Sequence, residues 1–595
     1  MKKIITRFWL ICISFTLVFI AVGGQMVRIQ RIPGAQEILD QSKYYQGVTQ
    51  TIFPERGNIY DSLGSLLAGN ETIYEVGIDL ASVLQPETIA AVASSVLGMD
   101  YLQVLSYAQL TPGGENPVYV TLNGFVSKEK IAQLEIIRDE YANRVLKNGE
   151  TRPRLEGLMW TPHDKRSYPE GTLAANVLGF YGFLDRTQGV GYYGVEETYN
   201  TLLAGTPKKV YTAFDPQKIS DIDEIPPGAS LVLTIDRQIQ TMTEQVLDDA
   251  LHDTGAESGV IVISNPEDGS ILAMANSLRL DPNEYWKYLD TFTNTTPFNR
   301  AVSETYEPGS VFKVITLAAA LDAGAIKPET TFQDTGVIMV GGSPVYNWDR
   351  GAWGEQDMTG CMQHSLNVCL AWMATQLGPD RFYSYLRAFG FDRITGIDLG
   401  SESNWPLALP GDPNWWEANL GTNAFGQGIS VTPIQMVMAI GAMANEGKMM
   451  APHVVKAMII DGKQYDVKPV VVGNPVTRET ANTVTTMLTN SLVNEASAAM
   501  VDGYTLAGKT GTAEIPTPYG YTSGETNASF VGWGPTENPK FLVYIWLEKP
   551  TSSIWASEVV SPIFSNLVSK LVVLMEIPPD SVRLNAANPA EMADN

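Results

Sequence analysis

The 595-residue chain predicts a mixed α/β (α+β) fold: an antiparallel sheet flanked by helices, preceded by an N-terminal transmembrane helix and an elongated mixed region. Three observations carry this expectation. Phe8 to Val27 runs FWLICISFTLVFIAVGGQMV without a charged residue, long enough as a helix to cross about 30 Å of hydrocarbon. After the acidic, Pro-rich segment DIDEIPPG (221–228), composition shifts from polar and Gly/Pro-broken to regular apolar runs. Beyond that segment the runs read as strands, then helices, then strands again, the order of an α/β or α+β domain.

Taken in order, Lys2, Lys3 and Arg7 precede the apolar run and favour a cytoplasmic N-terminus for residues 1–7. Arg28 and Arg31 follow it. An anchor over 8–27 is favoured over a signal peptide cleaved at Ala21-Val22-Gly23, and no second stretch of comparable apolarity is expected. Residues 28–225 form the mixed region, in which SKEKIAQLEIIRDEYANRVL reads as a surface helix with Ser127 near its N-cap. Leu231–Asp236 reads as a strand and Arg237–Leu251 as a helix. Gly259–Asn265 and Ser270–Ala275 are joined by Glu267-Asp268-Gly269, a hairpin signal. Helical stretches follow at Val311–Ala323, Val368–Leu377 and Pro433–Asn445, and strands at Phe530–Gly534 and Phe541–Leu547. The second domain is expected to span 226–574, and the Pro-, Asp- and Asn-containing residues 575–595 to be a disordered tail.

Composition narrows the function. Hydrophobic residues make up 44% and charged residues 18%, enough for sizeable cores. Forty Lys and Arg stand against 65 Asp and Glu, a formal charge of −25. So acidic a chain is a poor nucleic-acid binder, and an anionic substrate needs a local cationic pocket. His163, His252, His364 and His453 are scattered, with no HExxH and no CxxC, so neither a metal site nor a cofactor is expected. Cys361 and Cys369 are eight residues apart. Helical spacing would hold them too far apart for disulfide geometry, which leaves a bridge across a turn as the minor alternative.

Three short motifs carry the chemistry: Ser310-Val311-Phe312-Lys313, Ser365-Leu366-Asn367 and Lys509-Thr510-Gly511-Thr512. Tyr306-Glu307-Pro308-Gly309 breaks the chain before Ser310 and an Ala-rich helical run follows, so Ser310 sits near a helix N-terminus with Lys313 one turn on, on the same face. A neutral amine there can take a serine hydroxyl proton, and the helix start favours negative charge on an attacked carbonyl. Lys509-Thr510-Gly511-Thr512 reads as a strand lining a cleft: a fixed cation, two hydroxyls able to hold a carboxylate, and a glycine that admits a second backbone. Ser365 and Asn367 suit proton relay and the gripping of a peptide amide. Ser127-Lys128-Glu129-Lys130 repeats the SxxK spacing but reads as a helix cap and charged face. His364 beside Ser365 lacks a supporting Asp and reads as structural. Trp415 and Trp416 are expected to pack, and Met436, Met438, Met443, Met449 and Met450 to be core.

The S-x-x-K, S-x-N and K-T-G set, in order, resembles that of penicillin-binding proteins and β-lactamases. Arg56-Gly57-Asn58-Ile59-Tyr60-Asp61 with Gly64 and Leu67-Ala68 resembles the start of the pedestal (dimerisation-type) domain of class B penicillin-binding proteins, with Ser62-Leu63 in place of the usual Arg-Asn. Tyr168-Pro169, Gly179-Phe180 and Gly194-Val195-Glu196 resemble later pedestal motifs. Leu233–Asp236, Asn299-Arg300-Ala301 and Phe425-Gly426-Gln427-Gly428 resemble the transpeptidase domain. Glu307 is more similar to the division-type subgroup than to the elongation type.

The resemblance implies a penicillin-binding transpeptidase fold and a D,D-transpeptidase that cross-links peptidoglycan stem peptides ending in D-Ala-D-Ala. Ser310 is the implied nucleophile, Lys313 the base, Ser365 the relay and Asn367 the holder of the donor amide. Lys509, Thr510 and Thr512 are the implied carboxylate site, and the backbone N–H groups of Ser310 and Thr512 the oxyanion hole. β-Lactams would acylate Ser310. A polytopic membrane glycosyltransferase and other wall-synthesis or division proteins are the implied partners, at the cell membrane, with the bulk of a single-pass chain extracytoplasmic. A carboxypeptidase or β-lactamase would use the same serine but needs no pedestal. A non-catalytic scaffold or β-lactam sensor is disfavoured because all three motifs are intact.

Overall fold

The computed structural model describes residues 2–30, 47–113, 117–147, 149–183, 189–213, 225–288, 290–293, 296–517 and 520–587. Arg31 and residues 221–224 of the expected boundary lie outside them. Two compact units result. One joins residues 1–56 to 204–228 and holds the helix Lys2–Gln30 and the antiparallel ribbon of Gly47–Ile52 with Lys208–Ala213. The apolar stretch of that helix, Phe8–Arg28, has no buried share in the protein, as a span facing lipid requires.

The second unit joins residues 57–203 to 229–595. The element that bears on function is a five-stranded antiparallel sheet in the order Ile271–Asn276, Ser258–Ser264, Phe541–Glu548, Gly520–Gly534, Ala507–Thr517. Alternate residues of Phe541–Leu547 enter opposite cores: Leu542, Tyr544 and Trp546 one side, Phe541, Val543, Ile545 and Leu547 the other. Covering both faces is why these strands read as unbroken apolar runs. Arg237–Thr254 and Ala556–Leu574 cover one face, the latter through Phe564, Leu567, Val568 and Leu571. Ala556–Leu574 is also long and apolar enough to cross a membrane, though less apolar than Phe8–Arg28. Its buried face of Val560, Phe564, Leu567, Val568 and Leu571 packs into the core under the sheet, so it is a core helix. The other face carries Lys313–Asp322, Asn367–Leu377 and Pro433–Ala444. Met436, Met438, Met443 and Met449 are buried there, as expected of core.

A mixed sheet runs Lys463–Asp466, Val455–Ile460, Ser230–Leu233, Ile59–Tyr60, Leu66–Asp79, with Tyr119–Val126 and Leu158–Ser167 both pairing with the last, 14-residue strand. Ile59–Tyr60 runs parallel to Ser230–Leu233. Asp61 ends that short strand: its Oδ1 accepts from Leu63 N (3.0 Å) and Ser65 N (2.6 Å), so Ser62-Leu63 sits in a turn that asks little of its side chains. Nearby, Arg166 and Glu196 form a buried pair (Nε–Oε1 2.8 Å) shared with the Tyr168 hydroxyl at 3.1 Å. Gly179 (φ +75°) and Gly194 (φ +51°) pack backbone to backbone beside it; a Cβ at Gly179 would lie 2.1 Å from Tyr193 O.

Three expectations need correction. Asp580–Ala587 is a helix rather than a disordered tail. Polar contacts hold it: Asp580 accepts from the Thr505 hydroxyl at 2.6 Å and pairs with Arg583, which also reaches Glu537. Residues 588–595 lie outside the described residues. Trp415 packs edge-on to Tyr383, but Trp416 is 69% exposed, because it caps the short helix Glu417–Asn423 from outside.

The third correction concerns Cys361 and Cys369, which are bridged with Cα atoms 6.0 Å apart. One continuous helix would have separated them, but the helix breaks. Met358–Gln363 ends at His364, Ser365 takes φ +52°, and a new helix starts at Asn367. The bridge therefore closes over the turn that carries Ser365 and Asn367. For a loop this short, chain entropy gives a bridge worth about 2–3 kcal/mol. Reducing the protein, or changing both cysteines to Ser, is expected to lower its stability by that amount. Denaturant midpoints with and without reductant measure it, and equal midpoints would show the bridge contributes nothing.

Candidate active site

Ser310 lies in a short 3-10 turn, Gly309–Phe312, that runs directly into the helix Lys313–Asp322. Two glycines fix this turn. Gly309 has φ +60°, and its N–H donates to Gly426 O at 3.0 Å. A Cβ on Gly426 would lie 2.3 Å from Gly309 O. Gly426 belongs to the Phe425–Gly428 segment, so that segment is the backing of the Ser310 turn. Glu307 ties the same pieces together: its Oε1 accepts from Gly428 N (3.0 Å) and its Oε2 from the Tyr521 hydroxyl (2.8 Å). Burial pushes the Glu307 carboxyl up.

The strand Ala507–Thr517 is the edge of the five-stranded sheet and runs against the Ser310 turn. A Cβ on Gly511 would meet Ser529 Oγ at 2.4 Å and Val311 N at 3.1 Å, so only glycine admits the turn here. From the other side, the position of a Gly309 Cβ lies 3.0 Å from Thr512 O. The backbones of Ser310 and Thr512 are thereby brought alongside each other. Thr512 Oγ1 accepts from Ala556 N at 3.0 Å, which caps the first turn of Ala556–Leu574 and leaves the hydroxyl proton free to donate.

Lys313 is fully buried. Its Nζ meets Ser365 O at 2.5 Å, Asn367 Oδ1 at 2.8 Å and Ser365 Oγ at 3.1 Å. Burial, reinforced by the charge of Lys509 and opposed by that of Glu495, holds its amine well below the ordinary lysine range. The left-handed backbone at Ser365 lets both its carbonyl and its hydroxyl turn to one amine. Asn367 is also tied to Tyr346 O, at 3.2 Å through Nδ2. His364 stacks on Trp353 (4.2 Å between centroids), the structural place expected of it. Ser127 stands at the start of Lys128–Asn143, a helix cap as read.

Lys509 is equally buried. Its Nζ pairs with Glu495 Oε1 and reaches Thr510 O (3.2 Å) and Thr510 Oγ1 (3.4 Å). The Thr510 hydroxyl donates to the same Glu495 oxygen. Sequence reasoning missed Glu495. It is the last residue of the helix Arg478–Glu495, in a polar stretch with no motif around it. The one signal was its place 14 residues before Lys509, which becomes informative only once the helix end is known. Among the described residues no cluster of His, Cys, Asp and Glu could hold a metal ion.

Residues 259–569 match the model of the penicillin-binding protein transpeptidase domain, and residues 51–227 that of the penicillin-binding protein dimerisation domain. Stage V sporulation protein D of Bacillus subtilis (strain 168) is 30% identical over 575 residues, which is 93% of this chain and 83% of that protein. The probable peptidoglycan D,D-transpeptidase PbpC of Pseudomonas aeruginosa is 27% identical over 587 residues, 97% of this chain and 96% of that one. Penicillin-binding protein 3 of Mycobacterium tuberculosis, solved with aztreonam bound, superposes with a TM-score of 0.66 at 26% identity, covering 89% of this chain and 98% of that one. With two domain models matched in order and a relative 30% identical over 93% of this chain, the chain belongs to the class B penicillin-binding proteins.

Proposed function

We propose that this protein is a serine D,D-transpeptidase that cross-links peptidoglycan stem peptides and is acylated by β-lactams. The observation that carries the reading is the buried amine of Lys313, supported by Ser365 and Asn367 one helical turn from Ser310. A neutral amine donates two protons, to Ser365 O and Asn367 Oδ1, and keeps a lone pair for a hydroxyl proton. Ser310 Oγ attacks the carbonyl of the penultimate D-Ala while its proton passes to Lys313. The backbone N–H groups of Ser310 and Thr512 receive the oxyanion, each donor of this kind being worth about 2.7–4 kcal/mol. The proton then goes, through Ser365, to the departing D-Ala amine, leaving an ester on Ser310. The amine of a second stem peptide attacks that ester, and Ser310 recovers its proton. Thr510 and Thr512 hydroxyls, beside Lys509, hold the terminal carboxylate, and Asn367 holds the donor amide.

Lys2, Lys3 and Arg7 before the apolar helix support a cytoplasmic N-terminus, with the site on the outer face of the cell membrane. A polytopic glycosyltransferase that supplies the glycan strands is the partner we propose beside the dimerisation and transpeptidase domains. Glu307 supports a role in division.

Labelling with a fluorescent penicillin tests the nucleophile. Wild type and Ser127→Ala are expected to take the label and Ser310→Ala to lose it while melting like wild type. A fully labelled Ser310→Ala would remove Ser310 from the mechanism. The base is tested by pH. Because Lys313 works when neutral, and burial holds its amine low, the acylation rate is expected to rise with pH and level off well before the ordinary lysine value of about 10.4. A rate still climbing tenfold per unit near pH 10 would assign the base elsewhere.

A further inference from the structure

Glu495 breaks a local rule. A carboxylate at the last residue of a helix meets the negative end of the macrodipole, and this one is also buried, its side chain 7% exposed. One oxygen, Oε1, receives both Lys509 Nζ and the Thr510 hydroxyl. The other, Oε2, is buried and has no hydrogen-bond partner among the described residues. Such costs are tolerated in folded proteins chiefly where function requires them.

Lys509 has three N–H donors, and Glu495 Oε1, Thr510 O and Thr510 Oγ1 occupy them. With no exposed surface, Lys509 acts on a substrate carboxylate through its field and through Thr510 rather than by direct contact. Thr510, in turn, is held by Glu495, which engages its hydroxyl proton. When a substrate carboxylate arrives, that hydroxyl can rotate to it, and Lys509 alone then satisfies Glu495 Oε1.

We propose that Glu495 is a positioning residue of the acylation site: it neutralises Lys509, presets the Thr510 hydroxyl, and so fixes the charge against which Lys313 works as base. The inference rests on the transpeptidase reading above and adds to it a residue that none of the three motifs contains. The charged groups facing Lys313 are Lys509 from the edge strand and Glu495 from the Arg478–Glu495 helix; the Ser365–Asn367 turn contributes only neutral oxygens. Removing the carboxylate charge leaves Lys509 uncompensated beside Lys313. Lys313 then loses its proton more readily, and the acidic limb of acylation moves to lower pH.

The test follows acylation of the full-length protein by a fluorescent penicillin across pH, for wild type, Glu495→Gln and Glu495→Asp. In Glu495→Gln, which keeps the shape and loses the charge, the rate at about pH 6 relative to that at about pH 8 is expected to rise roughly threefold or more. A ratio equal to that of wild type, whatever the plateau, overturns the inference and reduces Glu495 to packing. Glu495→Asp keeps the charge on a stem one methylene shorter and carries the test if the amide does not fold. It is expected to retain the wild-type ratio while its plateau falls roughly tenfold, because Thr510 and Lys509 lose their fixed partner. An unchanged plateau overturns the positioning role. Wild type that never labels would instead overturn the transpeptidase reading, and this inference with it, whereas labelled wild type with an unmoved Glu495→Gln ratio overturns the inference alone.

Discussion

The site depends on keeping an amine with no exposed surface in a sheet-and-helix interior. A charged lysine there is costly unless it is paired, and Lys313 has no carboxylate within hydrogen-bond reach among its contacts. Its partners are two oxygens of Ser365 and one of Asn367, dipoles that support a neutral amine as well as a charged one. Everything nearby serves that arrangement. The turn must present a carbonyl, a hydroxyl and an amide oxygen to one nitrogen, which requires a left-handed residue at Ser365, a conformation that costs a non-glycine residue about 1–2 kcal/mol. The Cys361–Cys369 bridge and the hydrogen bond from Leu366 N to Cys361 O (3.0 Å) hold the turn closed across that strain.

A second constraint is closeness of backbones. Three glycines, 309, 426 and 511, each stand where a Cβ would strike another segment. Together they seat the Ser310 turn between the Phe425–Gly428 segment and the edge strand Ala507–Thr517. An edge strand is ordinarily a liability because its N–H and C=O groups lack partners. Here the edge is covered in part by the Ser310 turn. Helices packed on both faces of the sheet support that edge position.

Much of this was legible in the residue order. The helices Arg237–Thr254, Asn367–Leu377 and Pro433–Ala444, and the hairpin around Glu267-Asp268-Gly269, follow from period, caps and turn chemistry. The three motifs announced their residues because each packs its chemistry into three or four consecutive positions. What could not be read was long-range. The disulfide depended on a helix break at Ser365, where no glycine or proline marks one. Glu495 reaches Lys509 only because a helix end is carried to an edge strand by tertiary packing. Trp416 resembled its neighbour Trp415 in sequence and differs from it because only one of them faces Tyr383.

The charge pattern completes the argument. A protein of formal charge −25 repels an anionic donor at long range, so attraction must be local and short. The two buried lysines look at first like the source of it, yet one is held in its neutral direction by burial and the other is matched by Glu495. On the proposed reading, what remains to receive a carboxylate is the Thr512 hydroxyl and, once it turns from Glu495, the Thr510 hydroxyl. Hydroxyl donors of this kind act at hydrogen-bond distance and fall away beyond it. They discriminate between a carboxylate seated in the cleft and one passing in solution, which a bare cation on an acidic surface would not do.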